Sequence, residues 1–289
     1  MFLGYKAARY NGLPAATGKG SSSLDALIHL IKEKYVDSLN DASLYRSGVD
    51  GILKNLDPHT VYIPSDQTDR MNEELDGNFF GIGIEFYPYN DTLIISYVLP
   101  DGPSGHSALL PGDRIIQVDG VLVAGQHMKE EGVIKKIRGN RESHVVLDVM
   151  HEDGSKATLT LNRGQVPIHS VSVSSMLDAE TGYIKLDLFN EQTADEFKHA
   201  LQVLKQRGMK KLLIDLRENP GGYLDAAAQV ADQLIAGKNT LVVTRGRNRA
   251  DSLESRTDGL FEQGGLAVLI DEKSASASEI LAGIIQDLD

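Results

Sequence analysis

Three serines alternate with alanines over Ser274, Ala275, Ser276, Ala277 and Ser278, then Glu279 follows and an apolar, helix-like run begins. A second stretch, "LRENPGGYL", also turns from a strand-like run into a helix-like one. The first N–H groups of a helix are unsatisfied and carry partial positive charge, so either junction suits an anion or an oxyanion. Neither matches a Walker loop or a dinucleotide fingerprint, which shifts the weight from phosphate binding toward acyl chemistry. A serine at a helix entrance can present its hydroxyl while the next N–H supports an oxyanion. Residue types alone barely prefer Ser276: Ser274 reads as a cap or turn residue, and Ser278 as a small residue that permits close packing.

A serine hydroxyl needs a base to take its proton. Lys273 is near in sequence, but it precedes the helix, and exposure would leave its amine protonated at neutral pH. His59, beside Asp57 in "LDPHT", suggests a Ser-His-Asp arrangement, yet its place next to Pro58 favours a structural turn. None of the eight histidines has a recognisable catalytic context.

The elements that must position these groups follow from hydrophobic periodicity. Leu24, Leu27, Ile28, Ile31 and Tyr35 recur at helical spacing, and "ASLYRSGVDGILKNL" reads as a second helix ending at the "DPHT" turn. Strands take over at "FFGIGIEFYP" and "TLIISYVL". The turn-rich "PDGPSGHSALLPGDRIIQVDG", a helical "QHMKEEGVIKKIRG" and two more alternating runs come after them. From "TGYIKLDLF" onward strands and helices alternate, with Leu201 and Leu204 on the apolar face of one helix, which predicts a layered α/β core.

Composition limits the functions open to such a chain. With 289 residues, 41% of them hydrophobic, it divides into two or three domains with real cores. A formal charge of −12 argues against non-specific nucleic-acid binding and against an anionic membrane surface. No cysteine is present, which excludes thiol nucleophiles, disulfides and thiolate zinc sites but leaves the redox compartment open. The amino end, "MFLGYKAARYNGLPAATGKGSSS", is too short in its apolar part to span a bilayer. It reads either as a disordered tail or as the stub of a membrane anchor or export signal leading into a linker.

The middle segment resembles a PDZ domain, through "FGIGI" as the carboxylate loop and "PGDRIIQVDG" as its strand and turn. Successive N–H groups of Gly81, Ile82, Gly83 and Ile84 can converge on a terminal carboxylate while a strand edge pairs with the peptide behind it. "GPSGHSAL" departs from the "GSPAxxAG"-like turn usual in relatives.

The order of "YVD", "LDPHT", "GIGI", "PGDRIIQVDG", "GYIKL", "DLRENPGG" and "SASASEILAG" followed by "QD" resembles the carboxyl-terminal processing, or tail-specific, serine proteases. The resemblance runs from about Leu24 to the end. It implies a multidomain α+β fold with a leader or linker over 1–22, a helical domain over 23–77, a PDZ domain over 78–166, and a crotonase- or Clp-protease-like core over 167–289. Ser276 corresponds to its nucleophile, Ala277 and either Gly221 or Gly222 to the oxyanion donors, and Glu279, Gln286 and Asp287 to residues supporting the site. Protein or peptide carboxyl termini are the implied partners, with no cofactor and no metal, in the periplasm or cell envelope. The implied base is a lysine in a "GKG"-like strand roughly two dozen residues after the serine. Only thirteen residues follow Ser276, so the expectation is an incomplete core, inactive alone. The alternative is a non-catalytic peptide-binding protein; an acyl-CoA enzyme has no need of the PDZ segment.

Overall fold

The computed structural model describes residues 22–256 and 258–288. The leader or linker expected at the amino end therefore lies outside the described residues, except Ser22, which opens the first helix. The chain forms two compact units. One holds the described residues up to Asn72 with Val173–Phe189 and the segment from Phe197; the other holds Glu73–Ser172 with Asn190–Glu196.

The first unit begins with α1 (Ser22–Lys34) and α2 (Asp41–Leu53), the two helices that the periodicity predicts. Ile28 is buried, while Leu27 and Tyr35 remain exposed. Asn40 caps α2 by accepting the Ser43 N–H at 3.1 Å. The "DPHT" turn follows: Asp57 accepts the His59 N–H and the Thr60 hydroxyl, both at 3.0 Å, an Asx turn with Pro58 inside it. Helix α3 (Ser65–Asp76) carries the chain across the boundary between the units.

The second unit contains β1 (Asn78–Gly81), β2 (Ile84–Tyr89), β3 (Thr92–Val98), β4 (Arg114–Val118), β5 (Val121–Leu122), α4 (Glu130–Ile137), β6 (His144–Met150), β7 (Lys156–Asn162) and β8 (Gly164–Pro167). Its antiparallel sheet runs β2-β3-β4-β6-β7 with β5 beside β4, and β1 pairs with β8. Alternation sets the faces: β6 buries Val145, Leu147 and Val149 against Ile95, Ile115 and the α4 residues Val133 and Ile137. The "DG" after β4 takes positive φ at both Asp119 and Gly120, as a tight hairpin requires. Arg163 fixes α4 from the other side, donating to the carbonyls of Ile137 at 2.8 Å and Lys136 at 2.7 Å, which a helix end leaves unsatisfied.

The chain continues through β9 (Val171–Met176), β10 (Thr181–Leu186), α5 (Thr193–Gln206), β11 (Lys211–Asp215), α6 (Leu224–Ala231), β12 (Thr240–Arg245), β13 (Ala250–Glu254), β14 (Gly265–Leu269) and α7 (Ala277–Leu288), which belong to the first unit apart from Val171–Ser172 and Thr193–Glu196. The sheet order is β14-β11-β10-β9, with β10, β11 and β14 parallel. Parallel neighbours need long crossovers, which α5 and α6 supply. Leu201 and Leu204 are fully buried with Ile184 and Ile214, as the helical spacing predicts. The expected multidomain α+β organisation, with helices first, a small sheet unit and an α/β core, is thus present.

Candidate functional site

Strands β11 and β14 are parallel neighbours with Asp215 opposite Leu269, so the turns that follow them leave the same end of the sheet side by side. The carboxyl ends of parallel strands are where open α/β sheets gather their sites. Two junctions that are separate candidates in the sequence therefore form one place in the structure.

Side chains tie the two turns together. Asp271 accepts the N–H groups of Glu218 at 2.9 Å and of Lys273 and Ser274 at 3.1 Å. Those hydrogen bonds, the one from Glu218 first, hold the Asp271 carboxyl below its ordinary value. The Ser274 hydroxyl donates to the Leu216 carbonyl at 2.8 Å, and the Ser278 hydroxyl to the Asn219 carbonyl at 3.0 Å. The Ala275 N–H also reaches the Asn219 carbonyl, at 3.1 Å. Both outer serines are buried and spent on structure. Among the described residues, the Ser276 hydroxyl has no hydrogen-bond partner, which separates it from its neighbours more sharply than residue type does.

Ser276 sits at φ +52°, a left-handed backbone that a residue with a Cβ rarely adopts. Such a conformation costs on the order of 1–3 kcal/mol and persists only where surroundings impose it. Here its N–H donates to Glu279 Oε2 at 2.8 Å, and its carbonyl accepts the Ile280 N–H at 3.0 Å, opening α7. His59 approaches the same carboxylate, with Nδ1 4.0 Å from Glu279 Oε2. The "DPHT" turn thus meets Glu279, a neighbour that sequence spacing does not reveal.

The glycines differ in what their N–H groups do. A Cβ built on Gly221 would lie 2.8 Å from Ser276 Cβ and 2.9 Å from the Ala277 nitrogen, so its main chain rests directly on the serine loop. Its own N–H is taken by Asn219 Oδ1 at 2.8 Å. Gly222 lies in a parallel bridge with Phe189, made by Phe189 N–H to the Gly221 carbonyl at 2.9 Å and Tyr223 N–H to the Phe189 carbonyl at 2.8 Å. That pattern leaves the Gly222 N–H out of the ladder. Neither it nor the Ala277 N–H has a partner among the described residues.

Behind the first turn, Arg217 forks onto the buried Asp215 at 2.9 and 2.6 Å, and the Tyr183 hydroxyl adds a third bond at 2.7 Å. The guanidinium, and then the tyrosine, hold the Asp215 carboxyl well below the usual carboxylate range although burial opposes them. Burial and the acceptor beside it push Tyr183 up.

Lys273 is spoken for. Its Nζ pairs with Glu218 Oε1 at 2.6 Å, and that hydrogen bond raises its pKa, so the amine stays an ammonium at neutral pH without a lone pair to accept a proton. Gln286 and Asp287 occupy the exposed last turn of α7. Gln286 is ten residues past Ser276, about 15 Å along the helix axis, so the structure does not bring this pair to the serine loop. Asn219 and Asp271, which do the linking, escape a reading based on nucleophile and base. Their signal is the Asx residue placed two before Gly221 and three before Ser274, in positions suited to side-chain-to-backbone turns.

The second unit holds a separate feature, a groove of about 370 Å³ whose apolar lining includes Ile82, Ile84, Phe86, Ile134 and Ile137. It contains Ile82, Gly83 and Ile84 of the loop singled out in the sequence, and Gly81 precedes them, buried. Among the described residues, strand β2 pairs only with β3, which leaves its other edge open along the groove. Arg138 stacks on Phe79, 3.9 Å from the ring centre, and pairs with Glu73 at 2.9 Å. Among the described residues, no cluster of His, Asp and Glu suits a metal ion, and no helix is long and apolar enough to cross a membrane.

Comparison with known proteins agrees with this division. Residues 180–289 match the model of Peptidase family S41, and residues 70–150 match that of the PDZ domain. A "Probable CtpA-like serine protease" of Staphylococcus aureus is 29% identical over 283 residues, covering 96% of this chain and 56% of the relative. One of the same name from Staphylococcus haemolyticus is 30% identical over 260 residues, covering 89% and 51%. The chain thus spans about half the length of the curated relatives it matches. Among solved structures, a photosystem II D1 C-terminal processing protease is 25% identical, covering 92% of this chain and 73% of that one, with a TM-score of 0.42.

Proposed function

Because residues 180–289 match the model of Peptidase family S41 and residues 70–150 ahead of them match that of the PDZ domain, we propose that the chain supplies the recognition groove and the nucleophile of a serine endopeptidase that acts on protein carboxyl termini. The observation that carries this reading is the Ser276 hydroxyl, without a hydrogen-bond partner among the described residues and held at φ +52°, while the flanking serines are consumed by structure. In the proposed mechanism the Ser276 Oγ attacks the scissile carbonyl carbon. The N–H groups of Ala277 and Gly222 stabilise the oxyanion as the acyl-enzyme forms. Gly221 serves by lacking a side chain, its N–H being engaged by Asn219.

The proton on Oγ goes to a neutral lysine amine, which passes it to the leaving amine as the peptide C–N bond breaks; the same lysine then takes a proton from the water that hydrolyses the acyl-enzyme. Lys273 does not fit, since Glu218 keeps it protonated, and the resemblance assigns that role to a lysine in a "GKG"-like strand roughly two dozen residues after the serine. Substrate capture falls to the groove, where the Gly81 to Ile84 main chain meets the terminal carboxylate and β2 pairs with the peptide behind it. The periplasm or cell envelope is the proposed location on the resemblance alone, and fractionation of cells expressing the whole gene tests it.

The test of mechanism uses a reporter protein with a free apolar carboxyl terminus. Cleavage is compared between the full product of the gene, the same product with Ser276→Ala, and residues 1–289. Activity confined to the first is expected, with losses that can reach about 10⁶-fold in the variant. Robust cleavage by residues 1–289 that disappears in Ser276→Ala would instead place the base within this chain. No cleavage by any form would favour the non-catalytic peptide-binding reading.

A further inference from the structure

The groove of the second unit has a charge pattern along its length as well as an apolar floor. Its end nearest the Gly81 loop is marked by the carboxyl end of α4. The Gly139 N–H reaches the Phe80 carbonyl at 3.4 Å, and Arg138 Cγ lies 3.9 Å from where a Cβ on Gly81 would sit. Helix α4 therefore runs away from the loop toward its own amino terminus, with Ile137, Ile134 and Glu130 successive along the groove wall. Their spacing of three and four residues places them on one helix face. Glu130 and, on the opposite wall, Glu85 of β2 both line the groove, and neither forms an ion pair among the described residues. Glu131, by contrast, is paired with Lys135 at 3.3 Å.

A peptide whose carboxylate occupies the Gly81 to Ile84 loop must run antiparallel to β2 along its open edge. Its last side chain then falls between Ile134 and Ile137. Strand residues rise about 3.3 Å each and alternate in direction, so the third residue from the end faces the same wall about 6.6 Å further on. Glu130 lies four helical residues from Ile134, about 6 Å along the axis. The two spacings coincide.

Resting on the carboxyl-terminus reading above, we propose that Glu130 makes this groove selective for peptides with an apolar last residue and a cationic third-from-last residue, with Glu85 adding to the negative potential at the rim. The ends of the groove then have opposite preferences: carboxylate at the loop, cation at the amino end of α4. The expected discrimination is that of one partly exposed ion pair gained or one repulsion removed, roughly three- to tenfold in Kd between lysine and glutamate at that position.

The test titrates residues 1–289 with synthetic decapeptides identical except at their ends: free acids ending Lys-Ala-Val, Ala-Ala-Val and Glu-Ala-Val, and the Lys-Ala-Val amide. The expected affinity order among the acids is lysine, alanine, glutamate, with the spread shrinking at high salt. Glu130→Gln should collapse the spread and Glu130→Lys should reverse it, each measured after circular dichroism shows an unchanged fold. Equal affinity for the three acids, all tighter than the amide, overturns the selectivity while leaving carboxylate capture intact. Equal affinity for acid and amide, or no binding at all, overturns both. A spread that survives in Glu130→Gln assigns the preference elsewhere and also overturns the proposal.

Discussion

The peptide groove and the serine junction use different physics to hold their shapes. Isoleucines at alternate strand positions and at helical spacing line the groove, so its form comes from packing between β2 and α4. The junction is two turns locked by Asp271, Ser274, Asn219 and Ser278 through side-chain bonds to main chain, around a serine in a strained conformation. Packing yields by degrees when a methyl group is lost. A network of buried polar groups does not, because each broken bond leaves a donor or acceptor unsatisfied. Substitutions should therefore act in graded fashion in the groove and abruptly at the junction.

The largest effect is expected at Gly222. A Cβ there would lie 2.0 Å from the Phe189 carbonyl oxygen, so Gly222→Val must displace the bridge that positions its N–H. In the full product of the gene kcat should fall by at least the roughly 10²–10³-fold typical of a lost oxyanion donor, while peptide affinity of the groove stays unchanged. Turnover that survives would remove this N–H from the mechanism. A moderate effect is expected at Ile134→Ala, which strips a wall of the groove. Peptide Kd should rise about five- to thirtyfold, as a loss of about 1–2 kcal/mol implies, with hydrolysis of a short substrate that does not reach the groove unaffected. An unchanged Kd would mean the last side chain binds elsewhere.

How much of this was legible in the sequence follows the same division. Periodicity marked the strands of the small unit and the buried face of α5, because burial imposes a period on residue type; it also marked α1 and α2, although among the described residues α1 buries only Ile28 and α2 none. The "FGIGI" loop and both junctions were legible as turns. What the sequence could not give was that β11 and β14 are neighbours, which alone brings "ENPGG" against "SASAS". Nor could it separate Gly221 from Gly222, since the choice depends on which N–H Asn219 engages. The contact of His59 with Glu279 is equally a product of tertiary placement.

The smallest effect is a matter of pH. The folded pKa of Asp215 is depressed by Arg217 and Tyr183, so the carboxylate contributes stability above its unfolded value of about 3.9 and loses it as pH falls through the lower folded value. The melting temperature of the wild-type chain should exceed that of Asp215→Asn by a constant margin near neutrality, and the margin should narrow below about pH 4. A margin independent of pH down to acid unfolding would show that the pairing with Arg217 does not contribute in this way.

The central claim, that Ser276 and neither of its flanking serines is the nucleophile, is tested most directly by trapping. The full product of the gene, shown first to cleave its reporter, is inactivated with a fluorophosphonate, digested, and its adduct located by mass spectrometry. A single adduct on Ser276, absent in Ser276→Ala, is the expected result. An adduct on Ser274 or Ser278, or full cleavage by Ser276→Ala, would contradict it.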